Sequence, residues 1–284
     1  MFRKYSALVF FSFILSLLIT TSTFGQRDSK RFKERYPVHP DKIFRVKIEI
    51  DAGEVNIHKS PREREARVIV YYDDEDYKIV SDFDKKRSLL VVEFDKKHWS
   101  QSNDDIAAEA IIELPAGVDI DLEAKIKAGE VEIDFAGLAL LGLELTTWAG
   151  EVTVEFSEPN HTEMDFLEIN TKIGETEIIK LGNARFKDAE INGGIGEMRV
   201  DFRGQLLTEA RADIDLDIGE TTLVLPQDTG IKMSVSKFLF MTAVDLPRRF
   251  RKSGRYYYSR NFDEAETQLA LKVSPGLGEL KVDY

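Results

Sequence analysis

One three-residue phrase recurs through the middle of this chain at a nearly constant spacing. It consists of alanine or isoleucine, then glycine, then glutamate, and successive glycines are 21, 24, 22 and 23 residues apart. The five copies are Ala128-Gly129-Glu130, Ala149-Gly150-Glu151, Ile173-Gly174-Glu175, Ile195-Gly196-Glu197 and Ile218-Gly219-Glu220. A period in the twenties is typical of a solenoid, in which each repeat buries its apolar face against its neighbours.

The apolar residues around each glycine predict two short strands that meet at a bend. Aliphatic residues stand five and one positions before glycine, and two and four positions after it in most copies. The alternation therefore shifts by one residue at Gly-Glu, as a β-bulge or corner requires. Glycine tolerates the positive φ of such a corner. We expect parallel rungs about 4.8 Å apart, with all these aliphatic sets inside the stack.

Two more copies of the phrase lie near the ends of the chain, at Ala52-Gly53-Glu54 and Leu277-Gly278-Glu279. They predict one all-β domain over residues 43–284, with these two copies marking its ends. The interval from Gly53 to Gly129 has room for about three unmarked rungs or an edge hairpin. The predicted structural corners are Gly53, Gly129, Gly150, Gly174, Gly196, Gly219 and Gly278.

The first 25 residues have the pattern of a secretory signal peptide. Arg3 and Lys4 precede an apolar run that ends in small residues, and the run is short for a membrane span. We expect cleavage before Gln26, export to the periplasm or the cell surface and extracellular space, and no transmembrane span in the mature chain. Residues 26–42 contain Pro37 and Pro40 and are predicted to be a linker.

Composition narrows the classes of function. The formal net charge is −12, which argues against nucleic acid as the main partner. The chain has no cysteine, so disulfides and thiolate metal sites are excluded. Its four histidines are scattered, and no nucleophile motif or phosphate-binding loop is present. We expect no metal, no cofactor and no enzymatic activity.

Two acidic patterns leave an alternative open. Residues Asp119 and Asp121, with Asp213, Asp215 and Asp217, have a spacing compatible with uronate-cleaving β-helix enzymes, although a solvated strand face shows the same alternation.

The glutamates after each corner glycine form a column that could hold cations. Alternatively, each glutamate accepts backbone N–H bonds at its corner, helped by Lys127, Lys172 and Arg199. We favour this second interpretation, because one glutamate per rung supplies few of the oxygens that Ca²⁺ needs.

Residues 237–260 are predicted to be an insertion that contacts a partner. They hold seven basic residues and one acid, which gives a charge of +6 on an otherwise acidic chain. Their apolar start, Phe238 to Met241, could enter a partner or lipid boundary, or cover the open end of the stack. The partner is expected to be an envelope protein, a glycan or an anionic lipid. The candidate binding residues are Arg248, Arg249, Arg251, Lys252, Arg255, Tyr256, Tyr257 and Tyr258.

The turn Leu114-Pro115-Ala116-Gly117-Val118, the serial Gly-Glu rungs and the closing Gly276-Leu277-Gly278-Glu279 together resemble a known family. The resemblance is to the bacterial putative-adhesin and LiaF C-terminal-like domains, also called toastrack domains. It covers roughly residues 43–284, and it implies a right-handed single-stranded β-solenoid with a role in adhesion, scaffolding or envelope-stress sensing. It supplies no catalytic residues.

We therefore expect a non-catalytic exported scaffold, adhesion or binding protein of the cell envelope. The alternatives are a sensor-associated domain of the response to cell-wall antibiotics and a glycan-active β-helix enzyme. Unlike the LiaF-like arrangement, this sequence has no transmembrane helices after the predicted signal peptide.

Overall fold

The computed structural model describes residues 30–97, 108–236 and 242–284. The predicted signal peptide and its cleavage site lie outside these residues. The described chain is almost entirely β-structure, as predicted, with one short 3-10 turn at Leu181–Ala184. The strands are β1 (Lys30–Pro37), β2 (Phe44–Ile50), β3 (Glu54–Lys59), β4 (Glu65–Tyr72), β5 (Tyr77–Asp84), β6 (Leu89–Lys96), β7 (Glu109–Leu114), β8 (Asp119–Asp134), β9 (Ala139–Glu155), β10 (Met164–Ile179), β11 (Phe186–Asp201), β12 (Glu209–Val224), β13 (Gly230–Val235), β14 (Thr242–Asp245), β15 (Phe250–Ser253), β16 (Tyr256–Ser259), β17 (Gln268–Ser274) and β18 (Leu277–Asp283).

The five central repeats form five long strands, β8 to β12, that pair in parallel in sequence order. Each strand bends at its corner glycine, so one rung has an arm before the glycine and an arm after it. The register sets glycine beside glycine in adjacent rungs, for example Gly174 beside Gly150 and Gly196. A period of one rung per repeat therefore follows from the recurring phrase, as expected.

The order of the outer rungs differs from the order of the chain. Strands β2 and β3 pair with β8, and the rung made of β6 and β7 lies outside them. At the other end β17 and β18 pair with β12, and β13 and β14 lie outside them. The copies at Gly53 and Gly278 thus lie one rung inside each end, which corrects the prediction that they mark the ends.

Antiparallel strands cover both ends of the stack. Strand β5 pairs with β6, β4 pairs with β7, and β1 pairs with β4. At the opposite end β16 pairs with β13, and β15 pairs with β16. Such edges carry charged side chains, which discourage pairing with further chains. Residues 30–37, predicted to belong to a linker, form the edge strand β1, and only Tyr36 of its side chains is buried.

Interior side chains form columns along the stack. In β8 the buried positions are Ile120, Leu122, Ala124 and Ile126 before the glycine, and Val131 and Ile133 after it. Buried side chains stand at even-numbered positions before Gly129 and at odd-numbered positions after it, which confirms the predicted shift of the alternation. Each fully buried aliphatic side chain contributes about 1.5–3 kcal/mol.

Two buried asparagines hold the turns that join one rung to the next. The side chain of Asn160 accepts a hydrogen bond from the backbone N–H of Leu140 and donates to the carbonyls of Leu140 and Ala184. Asn183 donates to the carbonyl of Phe156 and accepts from the N–H of Gln205. These bonds satisfy backbone groups that a turn would otherwise bury unpaired.

Candidate binding surfaces

The predicted basic segment forms a hairpin at the end of the stack. Strands β15 and β16 pair Phe250 with Ser259 and Ser253 with Tyr256, and Gly254 lies in the turn between them with a φ of 60°. Residues 242–245, also within the predicted insertion, belong instead to the outermost rung as β14. The apolar residues Phe238 to Met241 lie outside the described residues.

The hairpin separates apolar from basic side chains. Phe250 and Tyr257 are partly buried and pack against the core, so they help to cover the end of the stack. The five candidate basic residues, all within the described part of the chain, are exposed, and we call them, together with the three half-buried tyrosines, the basic face. The basic face comprises Arg248, Arg249, Arg251, Lys252, Arg255, Tyr256, Tyr257 and Tyr258.

Aromatic rings hold several of these cations in place. The guanidinium of Arg255 lies 4.8 Å from the ring centre of Tyr256, and the ammonium of Lys252 lies 5.4 Å from that of Tyr257. The guanidinium of Arg249 lies 5.0 Å from the ring centre of Tyr284. Each such contact contributes about 0.5–1 kcal/mol at an exposed site, and it leaves N–H groups free to donate hydrogen bonds outward.

Few acids neutralise the basic face. Within the described part of the chain its one ion pair joins Arg251 to Asp263 at 4.0 Å, and both side chains are well exposed. Exposed pairs of this kind contribute about 0–1 kcal/mol.

A shallow cavity of about 310 Å³ adjoins the basic face. Arg249, Arg260 and Tyr284 line it together with Ser259, Asn261, Gln227 and Asp228. Burial raises the pKa of the Tyr284 phenol, although nearby Arg249 acts in the opposite direction. The cavity thus offers two guanidinium groups and several neutral donors against one carboxylate.

A second surface follows the bends of the rungs. At each corner the backbone has φ between 130° and 154°, and a Cβ on one glycine would lie 1.7–2.4 Å from a carbonyl oxygen of the neighbouring rung. The residues directly before the glycines therefore point away from the interior. Ile173, Ile195 and Ile218 are 58%, 51% and 44% exposed, which corrects the prediction that this set lies inside.

Most of the glutamates after the corner glycines are also exposed, although Glu220 is half-buried, and most of them have no partner in the described part of the chain. Glu151, Glu175 and Glu197 make no ion pair or hydrogen bond with a described residue, whereas Glu220 accepts a hydrogen bond from Lys281 at 2.8 Å. The bond from Lys281 lowers the pKa of Glu220. The proposed structural role of the column is therefore wrong for the middle rungs.

Of the basic residues expected to help this column, two have other partners, and Lys172 has none among the residues that the structure describes. Lys127 donates to Asp51 at 2.6 Å, and Arg199 lies 3.3 Å from Glu177. A groove of about 350 Å³ runs along this side of the corner, and the column glutamates Glu151, Glu175, Glu197 and Glu220 line it.

The acidic sets considered for catalysis are not brought together. Asp119 and Asp121 lie in β8, and Asp213 and Asp215 lie in β12, four rungs away. At about 4.8 Å per rung the separation is about 19 Å, too far for a carboxylate pair. Lys272 donates to Asp213 at 2.8 Å. Burial is the main cause of the raised pKa of Asp215, and the negative charge of Asp217 raises that pKa further.

No group of three or more metal-ligating side chains occurs in the described ranges 30–97, 108–236 and 242–284. The helical segment in those same ranges, the 3-10 turn at Leu181–Ala184, is far too short to span a membrane.

Comparison with known proteins gives a family match over more than half of the chain. Residues 25–179 match the family model described as the N-terminal domain of toast_rack, DUF2154. No curated protein matches this chain.

Several solved structures show a distant similarity. A putative cell adhesion protein from Clostridium sporogenes is 15% identical, with a TM-score of 0.47 over 89% of this chain and 99% of its own. A putative adhesin from Bacteroides fragilis is 12% identical, with a TM-score of 0.38 over 89% of this chain and 97% of its own. A putative adhesin from Parabacteroides merdae is also 12% identical, with a TM-score of 0.33 over 89% of this chain and 93% of its own. At these TM-scores the similarity supports no inference about this chain.

Proposed function

The chain belongs to the toast_rack family, and from that premise we propose that it is a non-catalytic, exported cell-envelope protein that binds or scaffolds envelope components. The family match begins at residue 25, beside the expected cleavage site, which supports export to the periplasm or the cell surface. We also propose that its rungs follow the right-handed single-stranded β-solenoid course that the family resemblance implies.

The basic face is the observation that carries the proposal. Its five cations project from a short hairpin and from the turn directly before it, on a chain whose net charge is −12. Arginine presents a planar set of N–H donors that matches phosphate and carboxylate oxygens in pairs. The chemistry that this face recognises is therefore that of clustered anions, which in the envelope are lipid headgroups and acidic glycans.

The adjoining cavity supports the same proposal. Arg249 contributes to both the basic face and the cavity, where Arg260 supplies a second guanidinium. An anionic group there would meet two cations. The hydroxyl of Ser259 accepts a hydrogen bond from the N–H of Ile231 and keeps its own O–H as a donor, whereas the amide of Asn261 already donates to the carbonyls of Gln227 and Thr229. Tyr256 and Tyr258 are half-buried, and their ring centres lie 6.1 Å apart. The exposed parts of the two rings add amphipathic contact area.

Reversal of three charges tests the proposal. The variant Arg248→Glu, Arg249→Glu, Arg251→Glu is compared with wild type in binding to vesicles of phosphatidylglycerol and phosphatidylcholine. A basic residue near an anionic membrane contributes about 1 kcal/mol. Loss of three contributions therefore weakens binding by at least about 100-fold. Pure phosphatidylcholine vesicles bind neither protein.

Strand β1 provides a matched control, because it is an exposed basic edge at the other end of the molecule. The variant Arg31→Glu, Lys33→Glu, Arg35→Glu changes the net charge by the same amount and should bind vesicles like wild type. Binding of both proteins to polygalacturonate tests whether an acidic glycan, as well as a lipid headgroup, supplies the anions. Equal loss in both variants, or no loss in the first one at an unchanged melting temperature, would contradict the proposal.

A further inference from the structure

An aliphatic column runs along the outside of the corner, and its three isoleucines are about half exposed. Its members are in register in adjacent rungs: Ala149 beside Ile173, Ile173 beside Ile195, Ile195 beside Ile218, and Ile218 beside Leu277. Trp148, which is 53% exposed, widens the column at one end, and the ammonium of Lys127 lies 6.0 Å from its ring centre. Exposed apolar side chains arranged contiguously are a common feature of interaction sites. We call these residues the corner column.

Unpaired carboxylates flank the corner column on one side. Glu151, Glu175 and Glu197 stand two residues after Ala149, Ile173 and Ile195, and they repeat at the rung spacing. Like charges about 5 Å apart repel by roughly 1 kcal/mol per neighbouring pair in water. A cationic partner would remove this repulsion, whereas a second copy of the chain would present the same acidic column.

The spacing of the rungs selects the kind of segment that fits. Side chains of the corner column are about 4.8 Å apart. Apolar residues along one stripe of an α-helix recur every 3.5 residues on average, which corresponds to about 5.3 Å. Side chains on one face of a β-strand recur about every 6.7 Å. Over four intervals the mismatch is about 2 Å for the helix and about 8 Å for the strand.

We propose that the corner column is a docking site for an amphipathic α-helix of a partner protein, with an apolar stripe and basic residues on one flank. The helix lies along the stack axis, its stripe packs on Ile173, Ile195 and Ile218, and its basic flank faces the glutamates. The column from Ala149 to Leu277 spans about 19 Å, which corresponds to about 13 helical residues. This site is separate from the basic face and does not depend on it.

The test uses the full mature chain and a synthetic helical peptide as the probe. The peptide has about 21 residues, with leucine at the a and d positions and lysine along one flank. A second peptide has the same composition in scrambled order, so it keeps the charge and loses the stripe. Binding is measured by fluorescence anisotropy at low and high salt. We expect the first peptide to bind, the scrambled peptide to bind at least about tenfold more weakly, and salt to weaken binding.

Two protein variants test whether the peptide binds at the corner column. Ile195→Ser removes part of the apolar surface, and Glu175→Gln with Glu197→Gln removes two adjacent charges. Each is expected to weaken binding about tenfold. The matched controls are Phe166→Ser, whose side chain is similarly exposed on β10, and Glu168→Gln with Glu190→Gln, which lie in the same two rungs on the other arm. Neither control should change binding.

All the substituted side chains are exposed except that of Glu168, which is half-buried, and the glutamine that replaces it can still accept the hydrogen bond from the amide of Asn170. No variant should therefore melt below wild type, and Glu175→Gln with Glu197→Gln should melt at or above it, because the change removes repulsion between neighbouring carboxylates. The proposal is overturned if the designed peptide does not bind, if the scrambled peptide binds equally well, or if the control variants lose binding as much as the column variants do. Sedimentation velocity provides a further test. Self-association of wild type that Ile195→Ser abolishes would show that a second copy covers the column, and this too would overturn the proposal.

Discussion

Replacing Gly174 by alanine should destabilise the stack far more than an ordinary point change. Gly174 has a φ of 135°, and an added Cβ would lie 1.8 Å from the carbonyl oxygen of Gly150. The backbone strain of this conformation costs about 1–3 kcal/mol. The contact cannot be relieved by a side-chain rotation, because the obstructing atom belongs to the neighbouring backbone. Forcing extra volume into a packed site costs about 1–3 kcal/mol more.

The expected loss in the free energy of unfolding is therefore about 2–6 kcal/mol, a large part of the roughly 5–15 kcal/mol typical of native proteins. Urea unfolding followed by circular dichroism measures it. Gly254→Ala is the control, since Gly254 has a φ of 60° and no atom lies within 4 Å of its added Cβ. That change carries only the cost of placing alanine in the left-handed region, about 1–2 kcal/mol. Equal losses for the two variants would refute the explanation based on rung contact.

Three further predictions concern export, cations and pH. The exported protein should have the intact mass of a chain that begins at Gln26, and a mature species that retains residues 1–25 would contradict the signal peptide. Melting temperatures with EDTA and with excess Ca²⁺ should agree closely, because one glutamate per rung supplies too few of the oxygens that Ca²⁺ needs. A large Ca²⁺-dependent rise would contradict this, since a cation bound only by the folded state stabilises it. Although burial of Asp201 opposes ionisation, hydrogen bonds from Arg203 hold the pKa of Asp201 below its ordinary value of 3.8. Its ionised form therefore stabilises the fold above that value, and this contribution disappears as the pH falls through the lower, folded-state pKa. The difference in unfolding free energy between wild type and Asp201→Asn should consequently be smaller near pH 2 than at pH 7, and an equal difference at both pH values would argue against the role of Arg203.

The interior of the stack could be predicted from the sequence, because register and burial both follow from the repeated phrase. The columns five residues before glycine and two and four after it are buried as expected, for example Ile169 and Ile178 around Gly174. The column directly before glycine was wrongly placed inside. Alternation assigns Ile173 to the same face as Ile169, but the backbone turns outward at the corner before glycine is reached. Isoleucine occupies both the buried and the exposed positions, so residue type does not reveal that the backbone turns outward here.

The order of the outer rungs and the edge strands could not be predicted for different reasons. The repeat spacing gives the length of a rung but does not say which rungs are neighbours. The sequence therefore does not indicate that β17 and β18 pair with β12. Strand β1 is polar because it is an edge, and only Phe32 and Tyr36 face inward to any extent. The basic face was found because its charge departs from that of the rest of the chain, a feature that does not depend on knowing the fold.

Engineered cysteine pairs test most directly the central claim that the corner column lies outside and in register. The natural chain has no cysteine, so introduced thiols react without background. Ile173 and Ile195 are neighbours in adjacent rungs, about 4.8 Å apart, whereas Ile173 and Ile218 are two rungs, or about 10 Å, apart. A disulfide requires Cα atoms within about 7 Å. Mild oxidation of the dilute protein should crosslink Ile173→Cys with Ile195→Cys within one chain. The pair Ile173→Cys with Ile218→Cys should stay reduced, and both of its thiols should react with maleimide in the native state. Crosslinking of the second pair within one chain, or native thiols that resist maleimide, would contradict the account.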